Sequence, residues 1–258
     1  MAKSVYDKEL ARLKRAELRF VRRQQMKEPT KLDLMLQEKV PAKLESTLDA
    51  GFAKAFNLIF SKGTALIEKS FSAGKLIEEF ESDMAVLEER GKRRDVRKFR
   101  RRASVTGATH TLFSAVTGVA LGLAGAWVPD IVLFLSLVLR SLYKIAMKYG
   151  YDYTSEDEKK FMLRIIEASV MQGDEIVEAN RKINRIIEEG PGADDSTLEE
   201  RINAAAVALS HALLYMKFLQ NFPVVGVIGG ASDYVYMEKI NDYALLKYQL
   251  KFLTDRNR

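Results

Sequence analysis

Residues 90–102 read RGKRRDVRKFRRR, and residues 103–129 then pass without a single Asp, Glu, Lys or Arg until Asp130. Nine basic side chains oppose only Asp95 in the first stretch. The second must be tested as a membrane span, which needs about 20 apolar residues to cross about 30 Å of hydrocarbon. Residues 111–128 are nearly long enough, and the basic run before them would serve as a positive-inside flank. Against a span stand Gly118, Gly122 and Gly125, several Ser and Thr, and the break at Pro129 and Asp130. Pro followed by Asp ends one helix and caps the next. The spacing therefore predicts two buried helices joined at Pro129, with insertion of 111–139 as a span or re-entrant hairpin left as the other reading.

On either side of this stretch the pattern is helical. Tyr6, Leu10, Leu13, Phe20 and Val21 recur at helical spacing among Lys and Arg, which predicts a basic amphipathic helix over residues 3–27. Pro41 opens a helix over 43–60 with Leu44, Leu48, Phe52, Ala55, Phe56 and Ile59 on one face. A short helix follows Gly63, and another covers 75–90 with Leu76, Ile77, Phe80, Met84 and Leu87 inward. Further helices are expected near 108–127, 130–148, 155–171, 173–189, 196–220 and 232–253, with Ser155 and Glu158 as a capping box. The last carries Tyr234, Met237, Asn241, Leu245, Tyr248 and Phe252 at heptad-like spacing. Only residues 223–228 could run extended, so the fold class is all-α, a multi-helix bundle. Residues 1–30 form a basic N-terminal extension and 31–258 one helical domain, with a polar linker near 190–196.

Composition narrows the chemistry. The 258 residues are 47% hydrophobic, enough to build a core. Zero Cys excludes disulfides, thiolate metal sites and a Cys nucleophile, and two His are too few for a polyimidazole metal site. No cofactor and no metal are expected. The start MAKSVYDKELARLKR lacks the apolar core of a signal peptide, so a cytoplasmic protein is expected. Charge is polarised: residues 1–102 hold 25 Lys/Arg against 16 Asp/Glu, a balance of +9, and the rest hold 16 against 19.

Four segments carry a resemblance: GTALIEKS at 63–70, the glycine-rich stretch closing on Val128, Pro129 and Asp130, RSLYKIAMKYGYD at 140–152, and FPVVGVIGGASDY at 222–234. In order and spacing the chain resembles the EcsC family over roughly residues 39–252, with the basic first helix outside it. The resemblance implies an all-helical bacterial protein, similar to a namesake encoded beside an ABC transporter linked to secretion and competence. It implies no established reaction and no catalytic residues.

The basic cluster of Lys92, Arg93, Arg94, Arg97, Lys98, Arg100, Arg101 and Arg102 has three readings. It is a solvated face paired with Glu78, Glu79, Glu81, Glu88 and Glu89, a nonspecific nucleic-acid footprint with Phe99 for stacking, or a membrane-surface patch. Arg140, Lys144 and Lys148, four residues apart, form a second basic stripe suited to a phosphate head group. Gly118, Gly122, Gly125, Gly226, Gly229 and Gly230 leave bare backbone for a tight helix crossing or an apolar groove. Asp130 reads as an N-cap, and Asp130 and Asp233 are the candidates for buried charge. The expectation is a non-enzymatic protein, peripheral at the inner face of the membrane, binding anionic phospholipid or a membrane-protein partner, accessory to a transporter or to secretion. The alternatives are a hydrolase using His110 or His211 with Asp130, and a nucleic-acid binder.

Overall fold

The computed structural model describes residues 5–27, 42–104, 129–220 and 229–258, and among them there is no strand. The elements are α1 (Val5–Gln25), α2 (Ala42–Leu58), a π-turn (Ile59–Gly63), α3 (Thr64–Glu68), α4 (Ala73–Arg90), α5 (Arg93–Ser104), α6 (Pro129–Lys148), α7 (Glu156–Val170), α8 (Gly173–Glu189), α9 (Leu198–Gln220) and α10 (Gly229–Asp255). The helices expected near 108–127 and the extended stretch at 223–228 lie outside the described residues.

Local chemistry explains the boundaries. Ser72 caps α4 by accepting from the Lys75 amide, and Gly91 ends it at φ 54°. Ser155 accepts from the Glu158 amide, one half of the expected capping box, while its own amide donates to the Asp152 carbonyl and the Glu158 carboxylate turns inward to Tyr248 and Lys251; Thr197 and Glu200 cap α9 reciprocally. The polar segment near 190–196 joins α8 to α9 as a short packed turn, with Asp194 buried against Arg164.

Helix α10 is the axis of the bundle, packed by α1, α6, α7 and α8, while α9 lies on α2 and α7, and α4 covers α6. Fully buried Tyr143, Tyr149, Tyr243, Tyr248, Phe56 and Phe161 fill the centre. Burial in the second half of α10 runs around the helix rather than along one stripe, because four helices enclose it. Lys247, Tyr248, Gln249 and Leu250 are inside in succession, and Phe252 and Leu253 after them, whereas Leu245 is half-buried and Asn241 keeps a buried Oδ1 without a partner among the described residues. Ile77, expected inward on α4, is 47% exposed, whereas Leu76, Met84 and Leu87 are buried as expected.

Segments 63–70 and 140–153 dock on each other through three polar contacts. Arg140 Nε donates to Ser70 Oγ at 2.6 Å and its Nη2 to the Ser70 carbonyl at 2.8 Å. Tyr153 donates to Glu68 at 2.7 Å, and the Thr64 and Tyr143 hydroxyls meet at 3.5 Å. The π-turn widens the helix before Thr64 and so sets the register of all three.

Gly150 closes α6 at φ 77°, and a Cβ there would stand 2.3 Å from Phe80 Cζ. Replacing Gly150 by Ala adds left-handed strain to a clash with a packed ring, at a cost of about 2–4 kcal/mol. Urea unfolding checks this, and a Phe80→Ala background, which removes the ring, should reduce the penalty of Gly150→Ala to the strain alone.

Candidate functional site

The buried stripe of α1 runs Glu9, Leu13, Glu17, Phe20, Val21, Gln24, so three of its six inward side chains are polar. Glu9 has no solvent exposure, and its carboxylate is held by α5. Arg93 Nε donates to Oε1 at 2.6 Å, Arg97 Nε to the same oxygen at 3.0 Å, and Arg100 Nη1 to Oε2 at 2.9 Å. Arg12 of α1 stands 3.9 Å from Oε2. Burial pushes the Glu9 carboxyl up. Hydrogen bonds from Arg93 and Arg97 and the charges of Arg97 and Arg100 more than offset that, and hold it below the usual carboxylate range. One carboxylate therefore gathers four guanidiniums, leaving three positive charges uncompensated.

The helical period sorts α5 into three faces. Val96, Phe99 and Ala103 are buried, Arg93, Arg97 and Arg100 turn to Glu9, and Arg94, Lys98 and Arg101 are exposed. Exposed Lys92 precedes the helix, and Arg102 pairs with Asp83 at 2.6 Å. On α1 the outward residues Lys8, Arg12, Arg15, Arg19 and Arg22 recur every three or four positions, all exposed. Of the three acids on α1, Glu9 and Glu17 are buried and Asp7 accepts from Asn257, so its outer stripe is cationic throughout. The Glu9 contact sets the two stripes side by side. Leu18 and Met26 add exposed apolar surface, at 50% and 80%.

The remaining sequence candidates separate. Arg140 is 7% exposed, held by Ser70 and lying 5.9 Å over the Phe71 ring. Burial lowers its pKa, and burial together with Arg140 and Lys148 lowers that of Lys144. Lys148 reaches Glu79 at 3.7 Å and the Arg102 carbonyl at 3.5 Å. The stripe exists as spaced, but its first member is locked inside the molecule. His211 pairs with Glu45 at 2.7 Å on an exposed surface, whereas its neighbour Ser210 is buried and donates to Asp49, so among the described residues the two make no nucleophile–base contact. Gly118, Gly122, Gly125, Gly226 and His110 lie outside the described residues, as do the surroundings of Gly229, Gly230 and the side chains of Asp130 and Asp233. No group of three or more metal-binding side chains stands together among the described residues. No helix among them is long and apolar enough to cross a membrane. A cleft of about 420 Å³ is lined by Arg164, Lys182, Arg185, Asp195, Glu200 and Arg201. Its arginines are answered one by one: Arg164 by Asp194, Arg185 by Glu189 and Arg201 by Glu167.

The sequence model of the EcsC protein family matches residues 7–253. The chain belongs to the EcsC family. No curated protein and no solved structure matches it. The EcsC match begins inside α1, so the first helix belongs to the family unit, and the narrower extent inferred from the motifs is corrected.

Motif reading of this EcsC chain also missed the partners that seat α1. Lys247 of α10 is fully buried, bonded to Glu17 and, at 2.8 Å, to Asn184. Burial lowers its ammonium to about 8, against the attraction of Glu17. One turn on, Lys251 donates to Glu158 at 2.5 Å beneath the ring of Tyr151, with Tyr248 donating to the same carboxylate. Removing one member of a buried pair strands the other, at a cost of about 3–5 kcal/mol. Glu17→Leu and Lys247→Met should each lose that much in chemical unfolding, and the double variant should return to within about 1 kcal/mol of the parent.

Proposed function

We propose that this EcsC protein is a non-catalytic peripheral membrane protein whose α1–α5 face binds anionic phospholipid at the inner leaflet. The observation that carries the reading is the four-to-one ratio of guanidiniums to carboxylate at Glu9, flanked by the outward stripes of α1 and α5. Each Lys or Arg near an anionic leaflet contributes on the order of 1 kcal/mol. A handful of engaged side chains is enough for recruitment, and exposed Leu18 and Met26 can enter the interface beside them. The charge-free sequence of 105–128 follows α5 directly along the chain. A supporting place beside a transporter or secretion machinery rests on the family resemblance alone.

A nucleic-acid reading is disfavoured by one placement. Phe99, the aromatic residue within the basic cluster, is 3% exposed and packs against Tyr149 and Phe252, so it offers no face to a base.

Sedimentation with phosphatidylcholine vesicles carrying phosphatidylglycerol tests the proposal. Binding should rise with phosphatidylglycerol content and fall with salt. Arg94→Gln/Lys98→Gln should weaken it about 30-fold, two charges at about 1 kcal/mol each. The charge-matched control Lys182→Gln/Arg185→Gln should leave it near the parent. Binding indifferent to lipid charge and salt, or equal losses in both variants, would remove the assignment to this face.

A further inference from the structure

We propose that Arg93, Arg97 and Arg100 form a phosphate-monoester site that Glu9 fills from within, making α1 a built-in competitor of an anionic lipid head group. The inference rests on the membrane-surface reading and gives it a ligand.

The site is already assembled. Donors at positions i, i+4 and i+7 of one helix converge on the two oxygens of one carboxylate at 2.6–3.0 Å. A monoester presents three terminal oxygens and close to two negative charges, so it answers the uncompensated guanidiniums better than a carboxylate with two oxygens and one charge. Access is available from solvent. The side chains of Arg93 and Arg97 are 44% and 49% exposed, and each reaches Glu9 through Nε.

The competitor is also the removable kind of element. Helix α1 buries three apolar side chains, Leu13, Phe20 and Val21, against three polar ones, and Gln24 Oε1 finds no partner. Helix α7, by contrast, buries Phe161, Met162, Leu163, Ile165 and Ile166 in succession. Lifting α1 exposes less apolar surface than lifting α7 would and exchanges one anion for another at the arginines, while the buried Glu17–Lys247 pair is what it must break and what keeps the site closed at rest. Glu9 acts at the effective concentration of a tethered group, on the order of millimolar, which a bilayer rich in head groups can match locally.

The test uses the full chain and vesicles of phosphatidylcholine with either phosphatidic acid or phosphatidylglycerol at equal surface charge. Glu9→Gln removes the competing charge and keeps the side chain's shape. Because opening also breaks the Glu17–Lys247 pair, the open site is rare in the parent, and the variant, which removes the competing charge, should bind phosphatidic acid at least about tenfold more tightly, with phosphatidylglycerol binding little changed. The chain has no native Cys, so Lys14→Cys/Glu188→Cys, whose parent side chains meet at 3.1 Å, can be bridged by a reducible thiol-reactive linker that ties α1 to α8. Bridging should abolish the preference for phosphatidic acid, and reduction should restore it. A Glu9→Gln chain that binds phosphatidic acid no better than the parent, or a bridged chain that keeps the preference, overturns the proposal, whereas the membrane reading stands if phosphatidylglycerol binding remains salt-dependent. If neither chain binds any anionic vesicle, the membrane reading falls. Calorimetry with glycerol phosphate on the Glu9→Gln chain then decides the site alone: binding keeps the arginine site and reassigns it to soluble phosphate, and no binding removes it.

Discussion

A carboxylate with no solvent exposure, Glu9, sits among four guanidiniums, and the seat of the first helix depends on that contact. A buried carboxylate left alone would cost several kcal/mol, and three hydrogen bonds from charged donors offset the cost. Because its pKa is depressed in the fold, Glu9 stabilises the structure above the unfolded-state value, and that contribution is lost as pH falls through the folded-state value. The arginines gain as well, since without Glu9 three of them would crowd one helix face with no counter-charge. Anchoring α1 and displaying an excess of positive charge are thus one arrangement.

The same logic runs along α10. Lys247 with Glu17 and Lys251 with Glu158, one turn apart, and Gln249 with Arg100 on the opposite side, place polar partners around one stretch of the central helix. The core between them is aromatic, so Tyr248 and Tyr243 satisfy their hydroxyls on Glu158 and Asn180 while Tyr243 stacks on Phe20 and Tyr248 meets Phe161 edge to face. A polar interior of this kind specifies one seating of α1 over others, because a one-residue shift would strand two carboxylates and a lysine. The 420 Å³ cleft, where each arginine has a nearby carboxylate, shows the contrasting case: cations present, surplus absent.

Helix positions were legible because they rest on local signals. Ser155 with Glu158 and the Pro129–Asp130 break mark starts that the structure repeats within a residue or two. The basic cluster was legible as a feature but not in its pairing. Acids of α4 looked like its partners because they precede it in sequence, yet Glu79 reaches Lys148 and Glu88 reaches Arg256, while Asp83 takes Arg102 and Glu89 stands 4.0 Å from Arg90. The main partner lies 84 to 91 residues away, a separation at which charge patterning carries no information. One signal was there to be read: Glu9, Leu13 and Glu17 share a helix face, and an acid on an otherwise apolar stripe must find a cation inside. Arg140 was misjudged for the matching reason, since its four-residue spacing from Lys144 and Lys148 says nothing of Ser70 waiting across the interface.

The α1–α5 arrangement requires Glu9 to remain ionised inside the protein. Its side-chain carbon can be observed directly by carboxyl NMR with pH, assigned through the Glu9→Gln chain. A titration midpoint below that of an ordinary glutamate is predicted, because the arginines outweigh burial. A midpoint at or above the ordinary value would mean that burial wins, that the guanidiniums do not hold the charge, and that the surface built around them is misdrawn.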